Sequence, residues 1–322
     1  MSYAIEARDL MKTYRGGVRA LDGLSLAVEP GTVFGLVGPN GAGKSTTVKI
    51  LTTLSRADAG QAFVAGHDVR SEPKKVRCAI GSVAQKSGLD QAGTGRENLV
   101  LQGRVYGMRG RELGHRAAEL LERFGLDEAA DRTVRTYSGG MQRRLDVALG
   151  LMHRPQVLFL DEPTTGLDPE ARVDMWSEIT RLAGVEGLTI LLTTHYLDEA
   201  DRLTQQMAIV DKGRVVAAGS PDELKGELRG DAVVVEFDEP VEGAAACAAL
   251  AGISDLRDVA VEPKVLRARA DDGARVVPGV LSALEAAGLG VASVTVSRPS
   301  LDDVYLRYAG RSFSEADSEV AP

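Results

Sequence analysis

Gly38-Pro39-Asn40-Gly41-Ala42-Gly43-Lys44-Ser45 matches the pattern G-x-x-x-x-G-K-[ST], and its surroundings are those the pattern needs: an apolar run over 32–37 before it and a helical stretch opening at Ser45 after it. Glycines let a backbone curl until successive N–H groups face one anion, and the following helix adds the partial positive charge of its N-terminus. The stretch reads as a triphosphate cradle. Lys44 is placed to reach the β- and γ-phosphates, the Ser45 hydroxyl to ligate Mg²⁺, and Thr46 to join the nucleotide contacts, so ATP with Mg²⁺ is the expected ligand pair.

Further along, Val157-Leu158-Phe159-Leu160 is an apolar run that ends in Asp161 and Glu162. Buried strands of a parallel sheet deliver their last residues to the ligand-bearing edge, which brings Asp161 beside the metal and its water shell. Glu162 then faces the γ-phosphate, where it positions or deprotonates the attacking water. A third stretch, Tyr137-Ser138-Gly139-Gly140-Met141-Gln142, precedes an amphipathic helix expected over 143–153. Serine is a favoured N-cap, and two glycines behind it leave the first amides open to an anion. One chain has no use for two grips on one triphosphate unless each serves a different nucleotide.

Up to about residue 221 the chain alternates β-branched runs with longer amphipathic segments, as strands and crossover helices of a largely parallel sheet do. Strands are expected over 32–37, 79–84, 156–161, 188–193 and 207–211, with a helical insertion between the second and third. From about residue 231 the order becomes strand 232–237, helix 243–251, two strands within 256–270, helix 278–287 and strand 291–296, the β-α-β-β-α-β order of a small ferredoxin-like domain. A helix over 300–308 follows, then a polar, acidic ending expected to be disordered.

Composition narrows the classes. The chain has 322 residues, 44% hydrophobic and 26% charged, enough for one large domain and a small one. A net charge of −8 argues against a general electrostatic grip on nucleic acid. Cys78 and Cys247 have no Cys or His at ligand spacing, so neither a zinc site nor a disulfide framework is expected. No run approaches 18 consecutive apolar residues, and residues 1–9 lack a basic region followed by an apolar one. The expected place is the cytosol.

Taken together, the three stretches resemble an ATP-binding cassette (ABC) ATPase, with Ser138-Gly139-Gly140 in the position of that family's signature motif. The resemblance implies a P-loop α/β cassette, a mixed sheet core with a helical subdomain over about 90–150, spanning 3–228. An α+β accessory domain follows over 231–310, then a tail over 311–322. It implies a second copy as partner, paired head to tail, so that the signature of one completes the site on the phosphate loop of the other. By the same resemblance Tyr14 stacks on adenine, Gln85 meets Mg²⁺ and links the site to a membrane subunit, Gly166-Leu167-Asp168 contacts the opposite copy, and His195 senses the γ-phosphate. Two positions depart from the family pattern: Tyr137 stands where leucine is usual, and Met141 where glutamine is usual, with Gln142 one place later.

The subgroup follows from Thr194-His195-Tyr196-Leu197-Asp198-Glu199-Ala200-Asp201 and from Arg298-Pro299-Ser300-Leu301-Asp302-Asp303-Val304-Tyr305, which are similar to the daunorubicin-resistance type of drug-efflux ATPase. That resemblance implies a separately encoded permease and a peripheral place on the cytoplasmic side of the cell membrane. Lipid transport or import by the same engine stays open, as does a soluble regulator or resistance factor acting without a permease.

Overall fold

The computed structural model describes residues 3–228 and 230–313, with Val185 and Glu186 described by their backbone alone. It divides into two compact units, one of residues 1–221 joined by 311–322 and the other of 222–310.

In the first unit, β1 (Ile5–Thr13) and β2 (Arg19–Val28) form a hairpin, after which β3 (Val33–Val37) runs through the glycine-rich loop into α1 (Lys44–Leu51). With β4 (Ala59–Val64) and β5 (His67–Asp68), the hairpin makes an antiparallel sheet of order β2-β1-β4-β5. Next come α2 (Pro73–Ala79), β6 (Ile80–Val83) and three helices, α3 (Gly95–Val105), α4 (Gly110–Arg123) and α5 (Gly139–Gly150). The helix expected over 143–153 thus starts earlier, at Gly139, because Ser138 caps it there. The unit continues through β7 (Val157–Asp161), α6 (Pro169–Glu186), β8 (Thr189–Thr194), α7 (Leu197–Leu203), β9 (Gln206–Asp211) and β10 (Arg214–Gly219).

The second sheet has the order β10-β9-β3-β8-β7-β6, parallel throughout except for β10. Its central strands lack the alternation of half-exposed strands because both faces are covered: every residue of β3 and β8 is buried. One core cluster, with Leu10, Leu24, Leu36, Ile50, Phe159 and Val210, joins the antiparallel sheet and α1 to the parallel sheet. Another, with Leu99, Leu120, Leu145, Leu158, Ile179 and Leu192, ties that sheet to α3, α4, α5 and α6. Each such fully buried side chain contributes roughly 1.5–3 kcal/mol.

Register positions the site. Val37 pairs with Thr194, Asp161 with Thr193, and Val83 with Leu160, so β3, β6, β7 and β8 release their next residues along one edge. The glycine-rich loop, Gln85, Glu162 and His195 therefore leave the sheet on the same side.

The second unit begins with the short helix α8 (Pro221–Gly226), whose first residue is the last of the first unit, followed by β11 (Asp231–Phe237), α9 (Gly243–Leu250), β12 (Leu256–Val261) and β13 (Val265–Ala270). It ends with α10 (Gly273–Ala286), β14 (Val291–Ser297) and α11 (Leu301–Ala309). The sheet order β12-β13-β11-β14, antiparallel throughout, is the ferredoxin-like arrangement of a β-α-β-β-α-β chain. The helix expected from 278 begins at Gly273, since Asp272 accepts from the Arg275 amide and buried Val276 belongs to the core stripe. Pro278 is carried inside the helix. Of the tail expected to be disordered from 311, the first residues are held in place: Arg311 pairs with Asp211 at 2.9 Å and Phe313 is buried. Residues 314–322, where the rest of that expectation falls, lie outside the described residues.

Candidate active site

The glycine-rich loop is shaped by its neighbours. A Cβ on Gly38 would stand 2.2 Å from the Val210 carbonyl, and Gly43 turns at φ 111° with the Ala20 carbonyl 2.6 Å from where a Cβ would sit. The close approach excludes any side chain at Gly38, and the left-handed turn into α1 favours glycine at 43. Gly43 then offers no side-chain cap, and no acidic residue stands in the first turn of α1. Those first amides suit an anion. Lys44 is 4% exposed, and its ammonium donates to the carbonyls of Gly38 and Pro39 at the mouth of the same loop. Asn40, Gly41, Ala42 and Gly43 close the turn between them, with the Ala42 amide donating to Pro39 at 3.2 Å.

From the loop a chain of contacts runs across the strand ends. Ser45 Oγ lies 3.5 Å from Asp161 Oδ1, which also accepts from Thr193 Oγ1 at 2.6 Å. Thr193 Oγ1 in turn receives the Glu162 amide at 3.0 Å. The Glu162 carboxylate accepts from Gln85 Nε2 at 2.9 Å and from Thr165 Oγ1 at 3.3 Å. His195 Nδ1 stands 3.3 Å from Glu162 Oε1, close enough for charge attraction though off the line of a hydrogen bond. The imidazole holds the Glu162 carboxyl below its ordinary 4.5 against the upward push of burial, with a smaller pull from Lys44. Glu162 is thereby kept ionised in a buried place beside the triphosphate cradle, in the form that accepts a hydrogen bond from water.

Ser45 and Asp161 supply one hydroxyl and one carboxylate to a prospective metal. Among the described residues no group of three or more His, Cys, Asp or Glu could hold a metal ion by itself. Such a sparse oxygen set fits Mg²⁺, which keeps several waters and takes its other ligands from phosphate oxygens. Gln85, expected at the metal, has its amide nitrogen on Glu162, a contact that does not engage its amide oxygen. Tyr14 is 40% exposed at the hairpin turn, with its hydroxyl 3.4 Å from Thr46 Oγ1 and the Lys12 ammonium 5.7 Å above its ring. It is an open aromatic face beside the start of α1.

The signature residues form a second group. Ser138 Oγ accepts from the Met141 amide at 3.2 Å, and Ser138 and Gly139 are exposed. A Cβ on Gly140 would meet Ala171 Cβ at 2.9 Å, so the start of α5 lies against the start of α6, whose own cap is exposed Asp168 accepting from the Ala171 amide at 2.8 Å. Two capped helix starts thus lie side by side at the surface. The departures at 137 and 141 resolve by packing. Tyr137 is 5% exposed, with its hydroxyl on the Ala129 carbonyl at 2.6 Å, and Met141 packs against the core. Gln142 bonds Gln91 and the Tyr137 carbonyl, both at 3.3 Å.

Sequence reading missed three members of the site. Thr193 bridges Asp161 to the Glu162 amide. Buried Glu199 accepts from Thr164 Oγ1 at 2.8 Å and Trp176 Nε1 at 3.0 Å. Arg143 reaches into the strand ends from α5. A signal for Arg143 existed, because it shares a helix face with buried Val147 and Gly150 at i+4 and i+7.

Comparison with known proteins gives the family. The family model described as ABC transporter matches residues 21–165, and the one described as ATP-binding protein DrrA1-3-like, C-terminal domain, matches residues 219–309. The daunorubicin resistance ATP-binding protein DrrA3 of Streptomyces coeruleorubidus is 48% identical over 297 residues, 92% of each chain. The daunorubicin/doxorubicin resistance ATP-binding protein DrrA of Streptomyces peucetius is 45% identical over 99% of this chain and 96% of its own. Among solved structures, a dimeric ATP-binding cassette in a post-hydrolysis state, bound to ADP and phosphate, aligns with a TM-score of 0.62 at 26% identity, covering 67% of this chain and 98% of that one. The chain belongs to the ABC transporter ATP-binding proteins and, within them, to the relatives that carry a DrrA-like C-terminal domain.

Proposed function

We propose that this chain hydrolyses ATP to drive export of a drug or hydrophobic natural product through a separately encoded permease, working as a head-to-tail pair. The observation that carries the reading is the division of the site. Lys44, Ser45, Asp161, Glu162, Gln85 and His195 fall along one strand edge, while Ser138, Gly139 and Asp168 stand exposed as a second group with no triphosphate cradle of their own. A second copy supplies the missing half to each.

In this reading the loop 38–45, with Thr46, holds the phosphates, Tyr14 takes the adenine, and Ser45 with Asp161 and Gln85 holds Mg²⁺. Mg²⁺ supplies neutralisation of the phosphate charge. Glu162 accepts the proton of the attacking water, held for that by His195, Gln85 and Thr165. Ser138 of the twin closes the site. The accessory unit, 222–310, is assigned to support of the pair. The export role is supported by relatives named for resistance to daunorubicin, doxorubicin and linearmycin. Among the described residues no helix is long and apolar enough to cross a membrane. The export reading assigns the pathway to another chain and this one to the cytoplasmic face of the membrane.

The test is co-expression with a candidate membrane permease in a drug-sensitive host. Drug tolerance and drug-stimulated ATPase are expected together, both lost in Lys44→Ala. Tolerance conferred without any membrane partner overturns the export reading in favour of a soluble resistance factor.

A further inference from the structure

We propose that Arg143 is a positioning residue that sets the aim of Glu162 and ties that aim to the helix headed by Ser138; the inference rests on the ATPase reading above. Arg143 lies one turn into α5 and is 8% exposed. Its Nε donates to the Pro163 carbonyl at 2.7 Å, Nη1 to the Ala84 carbonyl at 2.8 Å, and Nη2 to the carbonyls of Asp161 and Glu162, both at 3.1 Å. Every one of these acceptors is backbone.

The carbonyls of consecutive residues in an extended strand point to opposite sides, so 161, 162 and 163 cannot converge on one group without a break in the strand. That break is at Glu162, which has φ 48°. A side-chain residue stays in the left-handed region only where its surroundings over-determine it. Here the guanidinium holds the carbonyl side, while Thr193 holds the Glu162 amide through its carbonyl at 3.2 Å and its hydroxyl at 3.0 Å. The same guanidinium fixes Ala84, the residue before Gln85. Asp146, on the same helix, receives the Gly88 amide at 3.4 Å. Gln85 is thus bracketed on both sides by α5, and its own side chain is on Glu162. A planar fork with five N–H groups can serve four carbonyls at once, which a lysine ammonium with three donors cannot. Displacement of α5 when Ser138 meets a ligand passes directly into the backbone that carries Glu162.

The experiment uses the full chain with Arg143→Lys and Arg143→Met. Two readouts are taken: steady-state ATPase, and hydrogen exchange over 84–88 and 157–165 without nucleotide. We expect Arg143→Lys to remain folded with KM within about twofold of the parent. Its kcat should fall about 100-fold, the scale of a misplaced catalytic group. Exchange in both segments should rise about tenfold while that of the remaining sheet is unchanged. If Arg143→Met fails to fold, Arg143→Lys carries the test. Unchanged exchange in both segments with near-parental kcat overturns the proposal. So does a uniform rise in exchange with a lowered melting temperature and an intact kcat, the mark of a general staple. A parent chain with no turnover refutes the ATPase reading instead, and exchange alone then decides whether Arg143 holds the segment.

Discussion

Glu162 occupies a backbone conformation that costs a side-chain residue about 1–2 kcal/mol, and it is kept there with its carboxylate 8% exposed beside His195. Such strain is retained where a group must be aimed. Replacing Glu162 with Gln keeps the shape and the bonds from Gln85 and Thr165 but removes the base. ATP binding measured with a fluorescent nucleotide should be unchanged, and turnover should fall by at least about 100-fold. Full turnover in Glu162→Gln removes the residue from its role. The depressed carboxyl also has a signature in stability. Its folded pKa lies below 4.5, so the ionised group's contribution is fully present above that value and is lost as pH falls through the folded pKa. The separation between the melting curves of parent and Glu162→Gln should move against the parent as pH falls below 4.5. A separation independent of pH down to strong acid contradicts the contact with His195.

At the scale of elements, α5 carries an exposed cap at Ser138 and a buried Arg143, and the unusual tyrosine before the cap is accommodated by the start of α3. Tyr137 fits because Gly95, at the start of α3, has no side chain: a Cβ there would stand 2.4 Å from the tyrosine hydroxyl. Gly95→Ala should therefore destabilise by about 1–3 kcal/mol, and Tyr137→Phe by about 0.5–1.5 kcal/mol through loss of the hydroxyl's bond to the Ala129 carbonyl, which keeps the Arg132 amide as a donor. The double variant should lose less than the sum, because removing the hydroxyl removes the clash. Strict additivity in denaturant melts refutes the pairing. A neighbouring link ties α7 to the segment after Glu162 through Glu199, Thr164 and Trp176. Since Trp176 is the only tryptophan in the sequence, Glu199→Ala should alter its fluorescence and cost about 1–3 kcal/mol by leaving two donors unpaired. An unchanged spectrum and melting point contradict that link. The strands of the parallel sheet were legible in the sequence because burial on both faces makes them continuous apolar runs. The antiparallel sheet was not picked out: β1 alternates buried and exposed positions and shifts register at three places, which breaks the period of two. Arg143 escaped notice because a charged residue beside Arg144 reads as solvated surface until its acceptors, which lie at and just beyond the ends of β6 and β7, are in place. No spacing within one segment encodes them.

On the whole-molecule scale, the two halves of the site are legible separately from two motifs, and the single chain holds them as separate groups. In the head-to-tail reading they meet between copies. Lys44→Ala disables the cradle and Ser138→Arg disables the cap, so each variant alone should neither form an ATP-dependent pair nor turn over ATP. In a mixture of the two, a head-to-tail pair contains one site with both defects and one site with neither. Mixing purified Lys44→Ala and Ser138→Arg chains and measuring ATPase together with ATP-dependent dimer formation by light scattering tests the claim most directly. Recovered turnover and a nucleotide-dependent dimer are expected; a mixture as inert as its components, or a fully active Ser138→Arg chain alone, contradicts the account.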